Sequence, residues 1–459
     1  MGTNDDMFVE AISRNTDLLL LRGVGYNAAA GRGRGGEGDG SSNDNMNREV
    51  EEYLQNDLDM PSSAIVKLKR NHPKVFQLSL KDKVKPAIKY LHSLLGHNNI
   101  HEDVLPASMS ARQLRKKVAK IVSCHPQVLQ LDVASNLEPT TCFLRDACDF
   151  TDTELAQVIF AAPGVLGLSV EENLKPTLQL IKDILESSVE QVNEDDNDCS
   201  NFVVHLRKCI LRHPQILALS LNNLRAKRDY FNSIDSCRHG SSSMVQGDGD
   251  TEGTGKRKPS LAARILQSAP SVYSLSLEGN IIPKVEYLST TLWGSSFNML
   301  SENIHEYPPI MTLSLEDNII PTISFYNMTG FLAVKRNIRA RYVATSLYKR
   351  LLPRWHFMLQ EQEKQQKQQL EQLESLVTKA DNDGPKYNIT TSTTSSTVIL
   401  PPLHLLAGSS DDNFCRQMKL SLNDFQAFKD EAGPRLKFSS QFDRWLKTGR
   451  AIDLTTTEA

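Results

Sequence analysis

Lysine and arginine occur in four clusters that contain no acidic residue, and the chemistry that such clusters offer is phosphate binding. The chain carries seven Lys or Arg residues and no acid from Phe331 to Gln360, and six from Val203 to Arg228. Shorter clusters lie at residues 112–120 and 67–74. Contacts to the phosphate backbone supply much of the affinity of proteins for nucleic acids. A single cluster is better explained by a solvated helix surface, but the recurrence of such clusters in four units favours an aligned stripe of cations.

The candidate nucleic-acid-binding residues are fifteen Lys and Arg side chains from three of the clusters. They are Arg112, Arg115, Lys116, Lys120, Arg207, Lys208, Arg212, Arg225, Lys227, Arg228, Arg336, Arg339, Lys349, Arg350 and Arg354.

Other chemistry has weaker support in the residue pattern. Seven cysteines without a CxxC pair argue against a disulfide scaffold and a zinc ribbon. His97 and His101 are four residues apart, but the glutamate of an HExxH zinc motif is absent, which favours a loop. The glycines of Gly23–Gly31 lack the strand and helix of a dinucleotide site. We therefore expect no catalytic site, metal, cofactor or small-molecule substrate.

Charge and hydropathy indicate whether the chain could enter a membrane or carry an organellar presequence. The net charge is −3, yet residues 1–60 hold twelve acids against five Lys or Arg, so the rest of the chain is net basic. No apolar run reaches the roughly 18–20 residues that a membrane helix needs. The acidic start does not resemble an organellar presequence, which is normally poor in acids.

A repeated phrase places these cations on a regular scaffold. The segment LSLEGNIIPKVEYL at Leu275–Leu288 is nearly repeated as LSLEDNIIPTISFY at Leu313–Tyr326, and the same residue pattern recurs along the chain. Periods of 20–50 residues are typical of solenoids. Seven units follow this pattern. In five of them a first proline is followed 13 residues later by a second: Pro73 and Pro86, Pro126 and Pro139, Pro163 and Pro176, Pro270 and Pro283, and Pro308 and Pro321. The fourth unit, which is one residue shorter, has Pro214 and Ala226, and the seventh has Ala340 and Pro353.

Each unit is predicted to contain two helices. An amphipathic helix ends at the first proline, which cannot continue it, and a second helix begins around the other proline. We expect an asparagine three residues before the second proline position to cap that helix in five units. These residues are Asn136, Asn173, Asn223, Asn280 and Asn318. Glu172, three residues after Ser169, adds a possible capping box, and the N-termini of the second helices are expected to offer main-chain contacts to phosphate.

The units resemble the repeat of the mitochondrial transcription termination factor (mTERF) family. The segment SLYKRLLPRW at Ser346–Trp355 is similar to the closing signature of that family, and the resemblance covers about residues 61–360. Departures from the pattern are Ala226 and Ala340 in place of prolines and Arg350 in place of a capping asparagine. The resemblance implies an all-α superhelical solenoid of about seven repeats, right- or left-handed, that binds double-stranded DNA in a mitochondrion or chloroplast.

The predicted organisation has five segments. Residues 1–60 are expected to be disordered, 61–360 to form the repeat domain, and 361–381 to form a polar capping helix or a short coiled coil. A Ser/Thr/Pro linker at 382–412 precedes a helical tail at 413–459.

The function predicted from this organisation is regulation of organellar transcription by a monomer that binds duplex DNA, without contact to a membrane. Two alternatives stay open. One is an RNA-binding factor in organellar ribosome assembly or RNA processing, and the other is a protein-interaction solenoid.

Overall fold

The computed structural model describes residues 40–96, 111–186, 199–239, 259–294, 297–334, 337–380 and 400–436. These residues form α-helices joined by short 3₁₀ helices and π-helical turns, and no β-strand occurs among them. The predicted all-α repeat fold is confirmed. The chain divides into two compact units, one of residues 1–228 with 254–259, the other of residues 229–253 with 260–459.

The first compact unit holds the N-terminal helix and the helices of four repeats. In chain order these are α1 (Gly40–Asn56), α2 (Ser62–Asn71), α3 (Lys85–Gly96), α4 (Ala111–Cys124), α5 (Glu138–Cys148), α6 (Asp152–Ala161), α7 (Lys175–Glu186), α8 (Cys199–Arg212) and the start of α9 (Leu221–His239).

The second compact unit holds the end of α9, three repeats and the C-terminal helices. Its helices are α10 (Leu261–Ser268), α11 (Ile282–Leu288), α12 (Phe297–Glu306), α13 (Ile320–Met328), α14 (Phe331–Val334), α15 (Ala340–Val343), α16 (Leu352–Ala380), α17 (Asp411–Met418) and α18 (Leu422–Leu436).

A 3₁₀ helix follows the first helix in six repeats, and each begins at the first proline of the phrase. Proline has no N–H to donate and suits the first position of such a turn. The apolar pair that follows is buried, as shown by Val165 and Leu166, which are 0% and 1% exposed. In the seventh repeat, which has Ala340 at this position, a short α-helix replaces the turn. The 3₁₀ helices are Pro73–Gln77, Pro126–Gln130, Pro163–Gly167, Pro214–Ala218, Pro270–Ser274 and Pro308–Thr312.

The second helix begins with a π-helical turn in the six repeats that carry the second proline. In the third repeat the amide of Leu174 donates to the carbonyl of Ser169, five residues earlier, at 3.1 Å. Proline collides with the carbonyl four residues before it in a regular helix, and the wider π turn moves that carbonyl aside. The turns are Leu80–Val84, Val133–Leu137, Val170–Leu174, Leu277–Ile281, Leu315–Ile319 and Leu347–Leu351.

The fourth repeat supplies the contrast. Ala226 replaces the proline, the phrase is one residue shorter, and α9 starts as a regular α-helix in which the amide of Leu224 donates to the carbonyl of Ser220 at 3.0 Å. A π turn adds one residue to a helix, so the missing residue and the missing proline are one structural change.

The predicted asparagine caps are wrong, because a serine or aspartate earlier in the phrase caps the second helix. The hydroxyl of Ser169 accepts from the amide of Glu172 at 3.2 Å, and Asp132 caps the second repeat in the same way. Asn173 instead accepts a hydrogen bond from the amide of Ser169 at 3.2 Å. It takes the role that a capping box would give to the side chain of Glu172. The other caps are Ser79, Ser220, Ser276, Ser314 and Ser346.

The ends of the repeat domain also differ from the prediction. Residues 40–60, expected to be disordered, contain α1, whose Val50 and Leu54 are fully buried. Part of the expected linker at 382–412 packs into the core, where Leu406 is fully buried. The expected capping helix is the continuation of α16, which runs unbroken from Leu352 to Ala380. Residues 381–399 and 437–459 lie outside the described residues.

Candidate nucleic-acid interface

The cations of α4 form the clearest basic surface of the first compact unit. Val118, Ile121 and Val122 face the core, which leaves Arg112, Lys116, Lys120 and the partly buried Arg115 on the outer side of the helix. Arg112, Lys116 and Lys120 are spaced four residues apart and therefore lie along one face. None of these three is paired with an acid among the described residues.

Lys120 is also held in place by an aromatic ring of the next repeat. Its Nζ atom lies 4.9 Å from the ring centroid of Phe160 on α6, and Nζ of Lys117 lies 5.9 Å from it. A cation over an aromatic face is attracted to it without losing its charge. The pair therefore fixes the direction of Lys120 while its ammonium group stays exposed.

The same position of the first helix recurs in the neighbouring repeats. Six residues before the first proline stand Lys67, Lys120, Gln157 and Lys208 in repeats one to four. The three lysines are exposed, and the 3₁₀ helices of successive repeats stack directly on one another. We name Lys67, Lys120 and Lys208, together with Arg112 and Lys116, the first-helix row. The row is interrupted by the uncharged Gln157.

Arg207 does not belong to this row, because acids of the preceding repeat neutralise it. Its Nε atom donates to Glu154 at 2.9 Å, a second guanidinium nitrogen donates to the same carboxylate, and Asp149 lies 3.7 Å away. The hydrogen bond that Arg207 donates to Glu154 raises the pKa of Arg207 despite partial burial. Arg207 links the third and fourth repeats, whereas the exposed Arg212 lies one turn beyond Lys208 on the same face of α8.

The predicted cations of α9 have three different environments. Arg225 is exposed, Arg228 is partly buried, and Lys227 is 0% exposed with its ammonium donating to Asn223. A side chain without exposed surface has no access to a phosphate, so the structure contradicts the prediction for Lys227.

Lys284 in the fifth repeat is a second buried lysine, and its hydrogen bonds show what such a lysine does in the fold. It is 1% exposed and donates to Asn280, four residues earlier, and to the carbonyl of Met311 in the next repeat at 2.8 Å. Burial lowers the pKa of Lys284 to about 8. The Asn–Lys pair thus ties one repeat to the next instead of facing solvent.

In the second compact unit the predicted cations divide between ion pairs and open surface. Arg339 is 3.5 Å from Glu306, which Arg341 also contacts. Lys349 is exposed, and Arg350 is exposed with one nitrogen 3.4 Å from the carbonyl of Ala407. Arg336 lies outside the described residues.

Arg354 is the second contradicted site residue. Its side chain is 0% exposed. It donates to Asp411 and to the carbonyls of Leu405, Leu406 and Ser409 at 2.7–3.0 Å. Its guanidinium also lies 5.0 Å from the ring centroid of Phe414. Burial lowers the pKa of Arg354, and the bond with Asp411 opposes that change. Arg354 joins the seventh repeat to the C-terminal segment and has no donor left for phosphate.

The N-termini of the second helices are also poor phosphate sites. Their first amides are occupied by the capping side chains described above, and acids follow the cap in four of the turns. Acidic side chains repel phosphate at the distance where the helix dipole acts. These acids are Asp82, Glu171, Glu172, Glu278, Glu316 and Asp317.

Comparison with protein families supports the same scaffold. The mTERF family model matches residues 113–204, which span the second and third repeats and the start of the fourth. This match supports membership of the chain in the mTERF family. No curated protein matches it. The mTERF family consists of helical-repeat proteins that bind nucleic acid, are generally not enzymes, and are typically found in organelles.

Two further observations concern membrane segments and metal sites. None of the helices in the described ranges combines the length and the hydropathy that crossing a bilayer requires. The described residues also contain no group of three His, Cys, Asp or Glu side chains placed to hold a metal. His97 and His101 lie outside them, as do the glycines at 23–31.

The sequence contains a signal for the structural role of the buried lysines. The Asn–x–x–x–Lys spacing of Asn223 and Lys227 is repeated by Asn280 and Lys284, which marks these lysines as part of the repeat. No comparable signal distinguishes Arg354 from Lys349, because the partners of Arg354 come from residues 405–411, more than 50 positions away.

Proposed function

We propose that this protein acts as a member of the mTERF family, binds double-stranded nucleic acid with duplex DNA as the preferred ligand, and regulates organellar transcription. The observation that supports this most strongly is the first-helix row, whose five cations are exposed and have no acid partner among the described residues. Elsewhere on the described surface, four cations pair with acids three or four residues away, as at Lys175 and Glu171. Unpaired cations in a shared register suit a ligand of regularly spaced phosphates.

The geometry favours backbone contact over base reading. Lysine presents a compact charge on a flexible stem, whereas reading guanine edges usually requires paired arginine donors. Four of the five side chains in the row are lysines, and Lys120 is directed by Phe160. We infer that the first-helix row positions the duplex and carries little sequence information.

The test removes the charge of the row and keeps the helices intact. Arg112, Lys116, Lys120 and Lys208 are replaced together by Gln, which has a similar helix propensity. Binding to duplex DNA should weaken for all sequences, and the slope of log affinity against log salt should flatten by about 3–4 units, because each phosphate contact contributes about 0.9. Fluorescence anisotropy over a salt series measures both quantities.

The control removes four cations that already have acid partners. Arg48, Lys175, Lys364 and Arg416 each pair with an acid three or four residues away, so their replacement by Gln changes the net charge equally. This variant should keep the wild-type slope. Equal slopes for wild type and the first-helix variant would refute the proposal. Single-stranded and structured RNA at the same salt concentration test the RNA alternative, which gains support if either binds more tightly than duplex DNA.

A further inference from the structure

An open cavity of about 650 Å³ lies where the seventh repeat meets the C-terminal segment, within the second compact unit. We name it the closing cavity. Arg341 and Tyr342 of α15 and the turn that contains Lys349 and Arg350 form one side. Ala407, Gly408 and Ser410 form the other side with Asp411 at the start of α17 and Lys429 of α18.

The lining of the closing cavity is strongly basic. Arg341, Lys349, Arg350 and Lys429 line it against a single carboxylate, Asp411, which gives a net charge of +3. Asp411 is already used, because Arg354 and Lys429 both donate to it at 2.7 Å, and these bonds lower its pKa although burial raises it.

The cations themselves are not all used within the fold. Glu306 neutralises Arg341. Lys349 has no acid partner among the residues that the structure describes, and Arg350 contacts only a backbone carbonyl there. Two positive charges therefore enter the cavity uncompensated. Like charges held together cost free energy unless an anion binds between them, so the arrangement is stabilised by an anionic ligand.

The position of Lys349 makes this charge specific to the last repeat. Three residues after the capping serine, the other repeats with a π turn carry Asp82, Ser135, Glu172, Gly279 and Asp317. Only the seventh repeat places a cation at this point. A position that is acidic or neutral elsewhere and basic beside a cavity points to a ligand rather than to the repeat fold.

The remaining lining residues indicate the class of anion. Ser346 and Ser410 bring hydroxyl groups, and Tyr307 and Tyr342 bring aromatic surface. Ligand cavities usually have volumes of about 300–1,000 Å³. Lysine and arginine with hydroxyl donors suit phosphate oxygens, and the tyrosines suit a base or sugar beside it.

We propose that the closing cavity binds a phosphate group of a nucleotide through Lys349, Arg350 and Lys429. The phosphate belongs either to bound nucleic acid or to a free nucleotide. Only the first of these sources rests on the proposed function; a free nucleotide would occupy the cavity whether or not the first-helix row binds a duplex.

The first experiment measures binding of pyrophosphate and of ATP to the full-length protein by calorimetry at constant ionic strength. Lys349→Gln should weaken binding at least about tenfold, the usual effect of losing a hydrogen bond to a charged group. The side chain of Lys349 makes no described bond within the protein, so the melting temperature should not change. Lys429→Gln should weaken binding similarly. If loss of the ion pair between Lys429 and Asp411 impairs folding, Arg350→Gln serves as the second cavity variant. Lys364→Gln, an exposed cation on α16, is the matched control and should bind as wild type does.

The second experiment separates the two sources of phosphate. Tighter binding of a 5′-phosphorylated duplex than of the same duplex without the phosphate, lost in Lys349→Gln, assigns the cavity to a nucleic-acid end. Weaker binding of both duplexes to Lys349→Gln assigns it to a backbone phosphate. Binding of ATP with no effect of Lys349→Gln on either duplex assigns it to a free nucleotide.

The outcome that overturns the proposal is distinct from failure of the first-helix row. If pyrophosphate and ATP do not bind at millimolar concentration and Lys349→Gln leaves duplex binding unchanged, the closing cavity is not a phosphate site. Equal affinities of wild type and all cavity variants for pyrophosphate would refute it too. The fourfold first-helix variant should keep wild-type affinity for pyrophosphate, so a protein that binds pyrophosphate but no duplex would refute only the proposed function.

Discussion

At the scale of single residues, charge type alone does not tell which side chain meets a ligand. Lys349 and Arg354 are five positions apart in one basic cluster, yet Lys349 is exposed and Arg354 has no exposed surface. The difference arises from bonding. Arg354 has its donors satisfied by one carboxylate and three carbonyls, and a guanidinium fork can satisfy several acceptors at once.

Replacing Arg354 should therefore affect stability first. Arg354→Gln leaves Asp411 without its buried partner and removes donors from three carbonyls, and breaking a buried pair in this way costs about 3–5 kcal/mol. Chemical denaturation followed by circular dichroism measures the loss. Lys349→Gln, in the same cluster, should leave the unfolding curve unchanged. Equal stability of Arg354→Gln and wild type would show that the buried bonds are dispensable.

At the scale of elements, one proline decides how the second helix of a repeat begins. Six repeats combine the second proline with a π-helical turn, and the fourth combines Ala226 with a regular helix that is one residue shorter. The proline requires the wide turn because its ring and its missing N–H are incompatible with a regular helix at that point. The capping serine remains the same in both forms.

The fourth repeat allows this link to be tested in both directions. Ala226→Pro places a proline inside the regular start of α9 and should cost about 3 kcal/mol in the free energy of unfolding. Insertion of one residue between Asn222 and Asn223 in that variant should recover part of the loss, because it supplies the residue that a π turn needs. Pro176→Ala, in a repeat with the turn already present, should cost at most about 1 kcal/mol. If Ala226→Pro is as stable as wild type, the proline does not determine the turn.

At the scale of the whole molecule, the core within each compact unit is built from repeats that bury one another's apolar pairs. Leu217 in the 3₁₀ helix of the fourth repeat is 1% exposed, whereas Leu219, two residues later, is only half-buried. In repeat proteins the stability is close to a sum of terms between neighbours. A defect in one repeat is therefore felt mainly by the repeats that contact it.

Leu217→Asp should place an unpaired charge in this core and destabilise the protein by several kcal/mol. Hydrogen exchange should accelerate first in the fourth repeat and in the neighbouring third repeat, residues 152–186 and 203–228. Leu219→Asp should have a much smaller effect, because water reaches that side chain. Uniform acceleration across the whole chain, or equal effects of the two substitutions, would contradict a core built from neighbour contacts.

The amino-acid sequence by itself determined the repeat, its two helices and its turns. Prolines, apolar pairs and capping residues act within a few positions of the chain, so their consequences are local and can be read from spacing. Even the π turn had a sequence signal, since a proline stands seven residues after the capping serine or aspartate wherever the turn occurs among the described repeats. The asparagine caps were predicted wrongly because asparagine and serine both favour helix starts, and spacing alone did not decide between them.

Only the tertiary structure decided which cations are available. Lys227 and Arg354 are buried and Arg207 is paired with Glu154, while Arg112, Lys116, Lys120 and Lys208 stay exposed. The partners of Arg207 and Arg354 lie more than 50 positions away in sequence. The closing cavity has the same origin, because Lys429 joins Lys349 and Arg350 only when the C-terminal segment packs against the seventh repeat. Such placements depend on which helices meet, and that is a property of the folded chain rather than of any short stretch of it.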